Sequence, residues 1–107
     1  MTEFVNRVRQ TAEKKVIFSL HALNEMNSEK EIITMGEIML VIRNGELIED
    51  YPEDKRGHSC LMYSLTNKGR PVHIVCSPKD NYLVVITAYV PTVDKWQNDF
   101  KTRRTNR

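Results

Sequence analysis

The feature that most restricts the fold of this chain is the stretch Leu83–Pro91. It is a nearly continuous apolar run, rich in β-branched residues, and it ends at a proline. A run of this length and composition is typical of a strand in the interior of a sheet. The chain therefore contains a β-sheet, and this stretch is expected to lie inside it.

The side chains of this strand divide into two sets. Successive residues of a strand point to opposite faces, so alternation predicts that Val84, Ile86 and Ala88 share one apolar face. Thr87 and Tyr89 then share the other face. Two hydroxyls side by side on an apolar strand either pack and form hydrogen bonds within the protein or line a site.

The first half of the chain predicts three helices. The best marked is the third, because Thr34 and Glu37 have the spacing of a capping box. We expect Asn44-Gly45 to end this helix in the left-handed conformation. In chain order the predicted segments are a helix over Thr2–Lys14, an extended piece at Val16–Phe18, a helix capped by Ser19 over about Leu20–Lys30, and the helix after Thr34.

The second half predicts strands separated by turns. The Asn67–Gly69 turn is typical of a short hairpin, and Trp96 and Phe100, spaced i and i+4, predict a last helical turn on the sheet. Helices followed by a meander predict an α+β fold, with N-terminal helices packed on a four-stranded antiparallel sheet. The chain is expected to be one domain, residues 1–107, with its core at about 16–100. The predicted strands are Leu47–Tyr51, Ser59–Leu65, Pro71–Ser77 and Tyr82–Val90.

Charge is unevenly distributed along the chain. The formal net charge is +2, yet the tail 101–107 carries four positive charges and the segment Glu46–Asp54 carries five carboxylates. A basic end attracts nucleic acid, although it also occurs as a solubilising tail. No apolar run approaches the roughly 20 residues of a membrane span, and the first residues lack the layout of a signal peptide. A cytoplasmic location is the expectation.

The cysteines and histidines do not predict a metal site. His58 and Cys60, like His73 and Cys76, are spaced as zinc ligands sometimes are. On a strand, however, His73 and Cys76 point to opposite faces. The hairpin also places Cys60 roughly opposite Cys76, deep in the sheet. We therefore expect free, buried thiols and no metal.

An acid–base site that needs no metal is the more favourable prediction. Histidine suits proton transfer at neutral pH, and His21 lies near the start of a helix. His73 is a second candidate, because the favoured register puts it on the face of Thr87 and Tyr89, whereas a shift of one residue would reverse it. Arg70, at the start of the same strand, would then bring a guanidinium toward Tyr89.

Imidazole, phenol, hydroxyl and guanidinium are the groups that RNA cleavage by its own 2′-hydroxyl requires. One group accepts the hydroxyl proton, another protonates the leaving 5′-oxygen, and cations stabilise the charge on phosphorus. No cofactor is predicted. The competing interpretation is that Thr87 and Tyr89 fill the seam between the sheet and the C-terminal helical turn.

A series of motifs resembles a family of small bacterial and archaeal proteins described as a domain of unknown function, related to the RelE-type toxins of the barnase–EndoU–colicin–RelE ribonuclease fold. The resemblance covers about residues 16–104. The motifs are His21-Ala22 with Met26; Asn44-Gly45-Glu46 and Ile48 to Pro52; Ser59-Cys60-Leu61; Gly69 to His73; Thr87-Ala88-Tyr89 with Pro91; and Trp96, Phe100, Arg103 and Arg104.

The resemblance implies a nucleolytic site that draws on an early helix and the last strand. Matched to this chain, these are His21 and the Thr87/Tyr89 pair. It also implies a small antitoxin partner carrying a zinc finger or a helix-turn-helix. Together with the residue analysis it predicts an endoribonuclease toxin with His21 as general acid or base. The substrate-binding residues are then Arg70, Arg103 and Arg104.

Two departures from the family pattern favour an alternative function. The family commonly has an arginine in the helix after the His-Ala pair, where this chain has Asn24 and Glu25. The strands are also poor in basic residues. The alternative is a non-enzymatic module of the same fold that binds protein or nucleic acid.

Overall fold

The computed structural model describes residues 2–28 and 30–105 as three helices and one five-stranded sheet. The α+β fold class is confirmed. In those two ranges no helix is both long and apolar enough to cross a membrane. The elements are α1 (Thr2–Lys14), β1 (Val16–Phe18), α2 (Leu20–Met26), α3 (Met35–Asn44), β2 (Glu46–Tyr51), β3 (Ser59–Leu65), β4 (Pro71–Pro78) and β5 (Leu83–Tyr89).

The prediction of a four-stranded antiparallel sheet is wrong, because the sheet has a fifth strand, β1, that pairs in parallel. The strand order is β1-β5-β4-β3-β2, and β1 pairs with β5 in parallel, from Val16 with Leu83 to Phe18 with Val85. The three residues of β1 are too few to show a hydrophobic period, and β5, with which they pair, is distant in sequence. The sequence therefore did not predict this pairing. The extra strand places β5 inside the sheet, where its apolar sequence predicted it.

A bulge in β5 changes which of its residues face the core. Val75 of β4 pairs with Thr87, but the next residue pairs with Val85, so β5 has one extra residue at Ile86. Leu83, Val85 and Ala88 therefore join the core, where alternation had predicted Val84 and Ile86. Bulges interrupt the period of two, and no residue type here marks this one.

The helices α1 and α3 pack on the core face of the sheet, chiefly against β3 and β4. Apolar residues at helical spacing on both helices supply their half of the core. The core residues of the two helices are Phe4, Val8, Ala12, Ile38, Val41 and Ile42. The opposite face of the sheet is crossed by the C-terminal segment, residues 91–105.

Three predicted local features differ in the structure. The second helix ends at Met26 rather than near Lys30. Gly45 is not left-handed: its φ is −76°, and its role is to allow close approach, since a Cβ there would lie 2.4 Å from the Val41 carbonyl oxygen. Residues 96–100 form turns instead of a helix, and Trp96 bridges to Arg103.

A buried carboxylate ties α3 to the end of the β3–β4 hairpin. Glu37 is 0% exposed and completes the predicted capping box with Thr34. Its Oε2 also accepts hydrogen bonds from Thr66 Oγ1 at 2.8 Å and from Arg70 Nε at 2.9 Å. The hydrogen bonds from the Arg70 guanidinium are the main cause that lowers the pKa of Glu37 to about 2.

The Glu37→Gln substitution is predicted to lower the free energy of unfolding by about 2–4 kcal/mol at pH 7. Removing one partner of a buried ion pair costs about 3–5 kcal/mol, and Arg70 is partly exposed. Because the folded-state pKa is depressed, the wild-type advantage is present above about pH 4.5 and is lost as the pH falls toward 2. Urea unfolding at pH 7 and pH 3 measures both.

Glu46→Gln is the matched control. Glu46 forms a 2.8 Å ion pair with Lys101 in which both side chains are exposed, and exposed pairs of this kind contribute little to stability. An equal loss in the two variants would contradict the central role of Glu37.

Candidate functional site

The candidate site forms where the edge of β5 extends past β1. Since β1 pairs only with Leu83–Val85, side chains satisfy the next backbone groups of β5. Ser19 Oγ donates to the Ile86 carbonyl at 2.8 Å, and the Ala88 amide donates to Glu25 Oε1 at 3.0 Å. Ser19 is also the N-cap of α2. These hydrogen bonds hold α2 against the β5 edge.

A cleft of about 400 Å³ lies between α2, β5 and the end of the β4–β5 hairpin. We call it the His21–Thr87 cleft. Its floor is apolar and its walls carry hydroxyls, one imidazole and two cations. The lining residues are Ser19, His21, Arg56, Ser77, Lys79, Val84, Ile86 and Thr87.

His21 is open to ligand and is oriented by one neighbour. Its side chain is 66% exposed, and Nε2 lies 3.3 Å from Glu25 Oε1. Of the cleft hydroxyls, Ser19 and Ser77 both donate to backbone carbonyls at 2.8 Å. In the described ranges the Thr87 hydroxyl makes no such bond and remains available to a ligand.

The two cations stand at the hairpin end of the cleft. Lys79 follows β4, and its Nζ donates to the Arg56 carbonyl. The Arg56 guanidinium contacts Asp54 at 2.9 Å, which raises the pKa of Arg56 and lowers that of Asp54. The Arg56 side chain is still mostly exposed. A phosphate is the ligand group that such a pair would attract.

His73 and Tyr89 face each other, as the favoured register predicted, and neither lines the His21–Thr87 cleft. Tyr89 donates its hydroxyl to His73 Nδ1 at 3.1 Å, and His73 Nε2 donates to the Phe100 carbonyl at 2.7 Å. His73 is 0% exposed and Trp96 packs on its ring. Burial lowers the pKa of His73 and raises that of Tyr89 to about 12. Both side chains are therefore neutral, and their hydrogen bonds are made within the protein.

The C-terminal segment covers the hydrogen-bonded His73 and Tyr89. Arg103, which the sequence predicted to bind substrate, holds this segment in place instead. Arg103 contacts both carboxylate oxygens of Glu49, at 2.7 and 3.1 Å, and lies over the Trp96 ring. Tyr89 and Arg103 line a separate cleft of about 410 Å³ together with Lys95. The structure thus divides the predicted cluster between two clefts, with Thr87 beside His21 and Tyr89 beside Arg103.

The other two predicted arginines lie outside the His21–Thr87 cleft. Arg70 was expected near Tyr89, but it turns to Glu37 and to the Ile32 carbonyl. Arg104 is exposed and donates to the Val93 carbonyl. The cations that do line the cleft, Arg56 and Lys79, were missed by the sequence analysis. The hairpin alone would have placed Lys79 beside β5, whereas no pattern places the loop residue Arg56.

The cysteine prediction is confirmed by the sheet register. Cys60 pairs directly with Cys76, both are buried and free, and their Sγ atoms are 4.0 Å apart. The hydrogen bond with the neighbouring Cys60 thiol, and then burial, raise the pKa of Cys76, so it stays protonated. Within residues 2–28 and 30–105, no group of three or more His, Cys, Asp or Glu side chains is arranged to hold a metal ion.

The chain belongs to a protein family described as a domain of unknown function, DUF4258, whose sequence model matches residues 18–90. The matched range contains α2, α3 and β2–β5, including His21, Lys79 and Thr87. It stops before the C-terminal segment and excludes α1. No curated protein and no solved structure matches the chain.

The Tyr89→Phe substitution is predicted to lower the free energy of unfolding by about 1–2 kcal/mol, because it leaves His73 Nδ1 buried without a donor. In the wild type, long-range ¹H–¹⁵N NMR should show His73 protonated on Nε2 alone at neutral pH. Because burial lowers its pKa, His73 should titrate below the ordinary value of about 6.5.

Tyr82→Phe, in the β4–β5 turn, serves as the control. A His73 ring that is doubly protonated at pH 6.5, or a Tyr89→Phe variant as stable as Tyr82→Phe, would contradict the hydrogen-bond assignment.

Proposed function

We propose that this protein is a metal-independent endoribonuclease whose site is the His21–Thr87 cleft. One observation carries the proposal: an exposed imidazole, an available hydroxyl and two cationic side chains line the same cleft. Each of these groups matches a requirement of phosphodiester cleavage. The volume of about 400 Å³ suits one nucleotide at a time rather than a duplex.

The proposed reaction is an internal transesterification. His21 removes the proton of the ribose 2′-hydroxyl, and the 2′-oxygen forms a bond to phosphorus while the bond from phosphorus to the 5′-oxygen breaks. The products are a 2′,3′-cyclic phosphate and a 5′-hydroxyl, which takes its proton from water in the open cleft. Arg56 and Lys79 stabilise the negative charge on the phosphoryl oxygens, and the Thr87 hydroxyl donates to one of them.

The relation to RelE-type toxins and the small antitoxin partner are part of the same proposal. Their support is the position of His21 on an early helix and of Thr87 on the last strand, which is the arrangement that the resemblance to RelE-type toxins implies. Large apolar side chains also stand exposed on β1 and α2, at Ile17, Leu20 and Leu23; Leu20, 74% exposed, lies between the cleft residues Ser19 and His21 in sequence. A protein bound over them would cover the cleft and restrain the activity.

A second candidate function is a non-enzymatic binding module of the same fold. The observation in its favour is that carboxylates neutralise two of the predicted phosphate-binding arginines, Arg70 by Glu37 and Arg103 by Glu49. The buried His73–Tyr89 chain likewise makes no contact with solvent through its imidazole. Such a module would retain the cleft for binding only.

Purified protein is predicted to cleave single-stranded RNA in EDTA and to leave 2′,3′-cyclic phosphate ends. His21→Gln should lower kcat/KM by about 10²–10⁴-fold, the usual effect of losing a general base. Lys79→Gln should lower it by about 10²-fold, since it removes a donor to the developing charge. Gel and mass analysis of a labelled oligonucleotide measures both rate and product ends.

Lys95→Gln is the matched control for Lys79, because Lys95 lines the cleft of Tyr89 and Arg103 instead. It should cleave within about twofold of the wild type. Intact RNA with the wild type, or equal cleavage by His21→Gln, would contradict the proposed activity.

Expression in bacteria separates the toxin from the binding module. Induction of the wild-type chain without its genomic neighbour is predicted to stop growth, whereas induction of His21→Gln should not, because the variant keeps the fold and loses the base. Colony counts and total RNA integrity measure the effect. Unimpaired growth at equal protein levels would favour the module.

A further inference from the structure

The strongest unassigned feature is the double role of a single carboxylate oxygen. Glu25 Oε1 accepts the Ala88 amide of β5 at 3.0 Å and lies 3.3 Å from His21 Nε2. Ala88 directly follows Thr87 in the strand. The same atom therefore connects the imidazole to the backbone that carries the hydroxyl of the cleft.

This contact differs from an ordinary exposed pair on a helix in one respect. Isolated i,i+4 pairs contribute about 0.5 kcal/mol or less because both side chains are free to move. Here the carboxylate is fixed by a backbone amide, and its side chain is only 28% exposed. The imidazole is the mobile partner, so the contact restricts the ring far more than it restricts Glu25.

We propose that Glu25 is a positioning residue that holds the His21 imidazole over the cleft it shares with Thr87. This inference rests on the proposed ribonuclease function for its kinetic consequence. Its geometric part stands independently. Loss of a partner that orients a reacting group can cost up to about 10²-fold in activity.

Two substitutions separate the position of the ring from the charge of the carboxylate. Glu25→Ala removes the acceptor, whereas Glu25→Gln keeps an oxygen that can accept from Ala88 and His21 without the charge. We expect Glu25→Ala to lower kcat by up to about 10²-fold with KM nearly unchanged, and Glu25→Gln to recover most of that loss. Glu31→Ala, a carboxylate beside the same helix, is the matched control and should keep full activity.

NMR of the full chain provides a readout that does not depend on activity. In the wild type and in Glu25→Gln, nuclear Overhauser contacts between the His21 ring and the Thr87 methyl group are expected. In Glu25→Ala these contacts should be lost while the amide spectrum of β3 and β4 stays unchanged. A wild-type ring without these contacts, or contacts that persist in Glu25→Ala, would overturn the positioning role.

The two proposals fail in distinguishable ways. If the wild type shows the contacts but leaves RNA intact, the ribonuclease function fails and the positioning of His21 by Glu25 stands. If RNA is cleaved but Glu25→Ala reacts as fast as Glu31→Ala, the positioning role fails and the cleft remains the active site.

Discussion

The incomplete pairing of β5 is the constraint on which the candidate site depends. An interior strand must satisfy backbone groups on both edges, since a buried and unpaired amide or carbonyl costs about 1–3 kcal/mol. The three-residue β1 covers only the first part of β5. Ser19 and Glu25 complete the edge, and this requirement brings α2, with His21, against Thr87.

Acidic residues decide which cations remain for a ligand. Glu37 binds Arg70 inside the fold, and Glu49 binds Arg103 across the sheet face. Both arginines thereby hold segments together, the first at the β3–β4 hairpin and the second in the C-terminal segment over His73. Arg56 and Lys79 lie at the other end of the sheet, where the cleft is open; Arg56 is also paired with a carboxylate, Asp54, but its side chain stays mostly exposed. Four of the five carboxylates in the acidic segment Glu46–Asp54 contact basic side chains within the protein, namely Lys101, Arg103, His58 and Arg56.

Sequence predicted the features that local chemistry controls. The capping box at Thr34 and Glu37, the β3–β4 hairpin and the facing of Cys60 with Cys76 follow from spacing and turn residues, and all are confirmed. The pairing of β1 with β5 and the bulge at Ile86 depend on contacts distant in sequence, so no local period reveals them. For the candidate site, the pattern identified His21 and Thr87, whereas the partners of Arg70 and Arg103 come only from tertiary packing.

The most direct test is to measure where on the protein a nucleic acid binds. A single-stranded oligonucleotide with 2′-deoxy substitution cannot undergo the proposed cleavage, so it allows an NMR titration of the intact complex. We predict that the largest amide shifts occur at Thr87, Lys79 and Arg56 and that they saturate together. Shifts concentrated at Lys95 and Trp96, or none at saturating oligonucleotide, would contradict the assignment of the His21–Thr87 cleft.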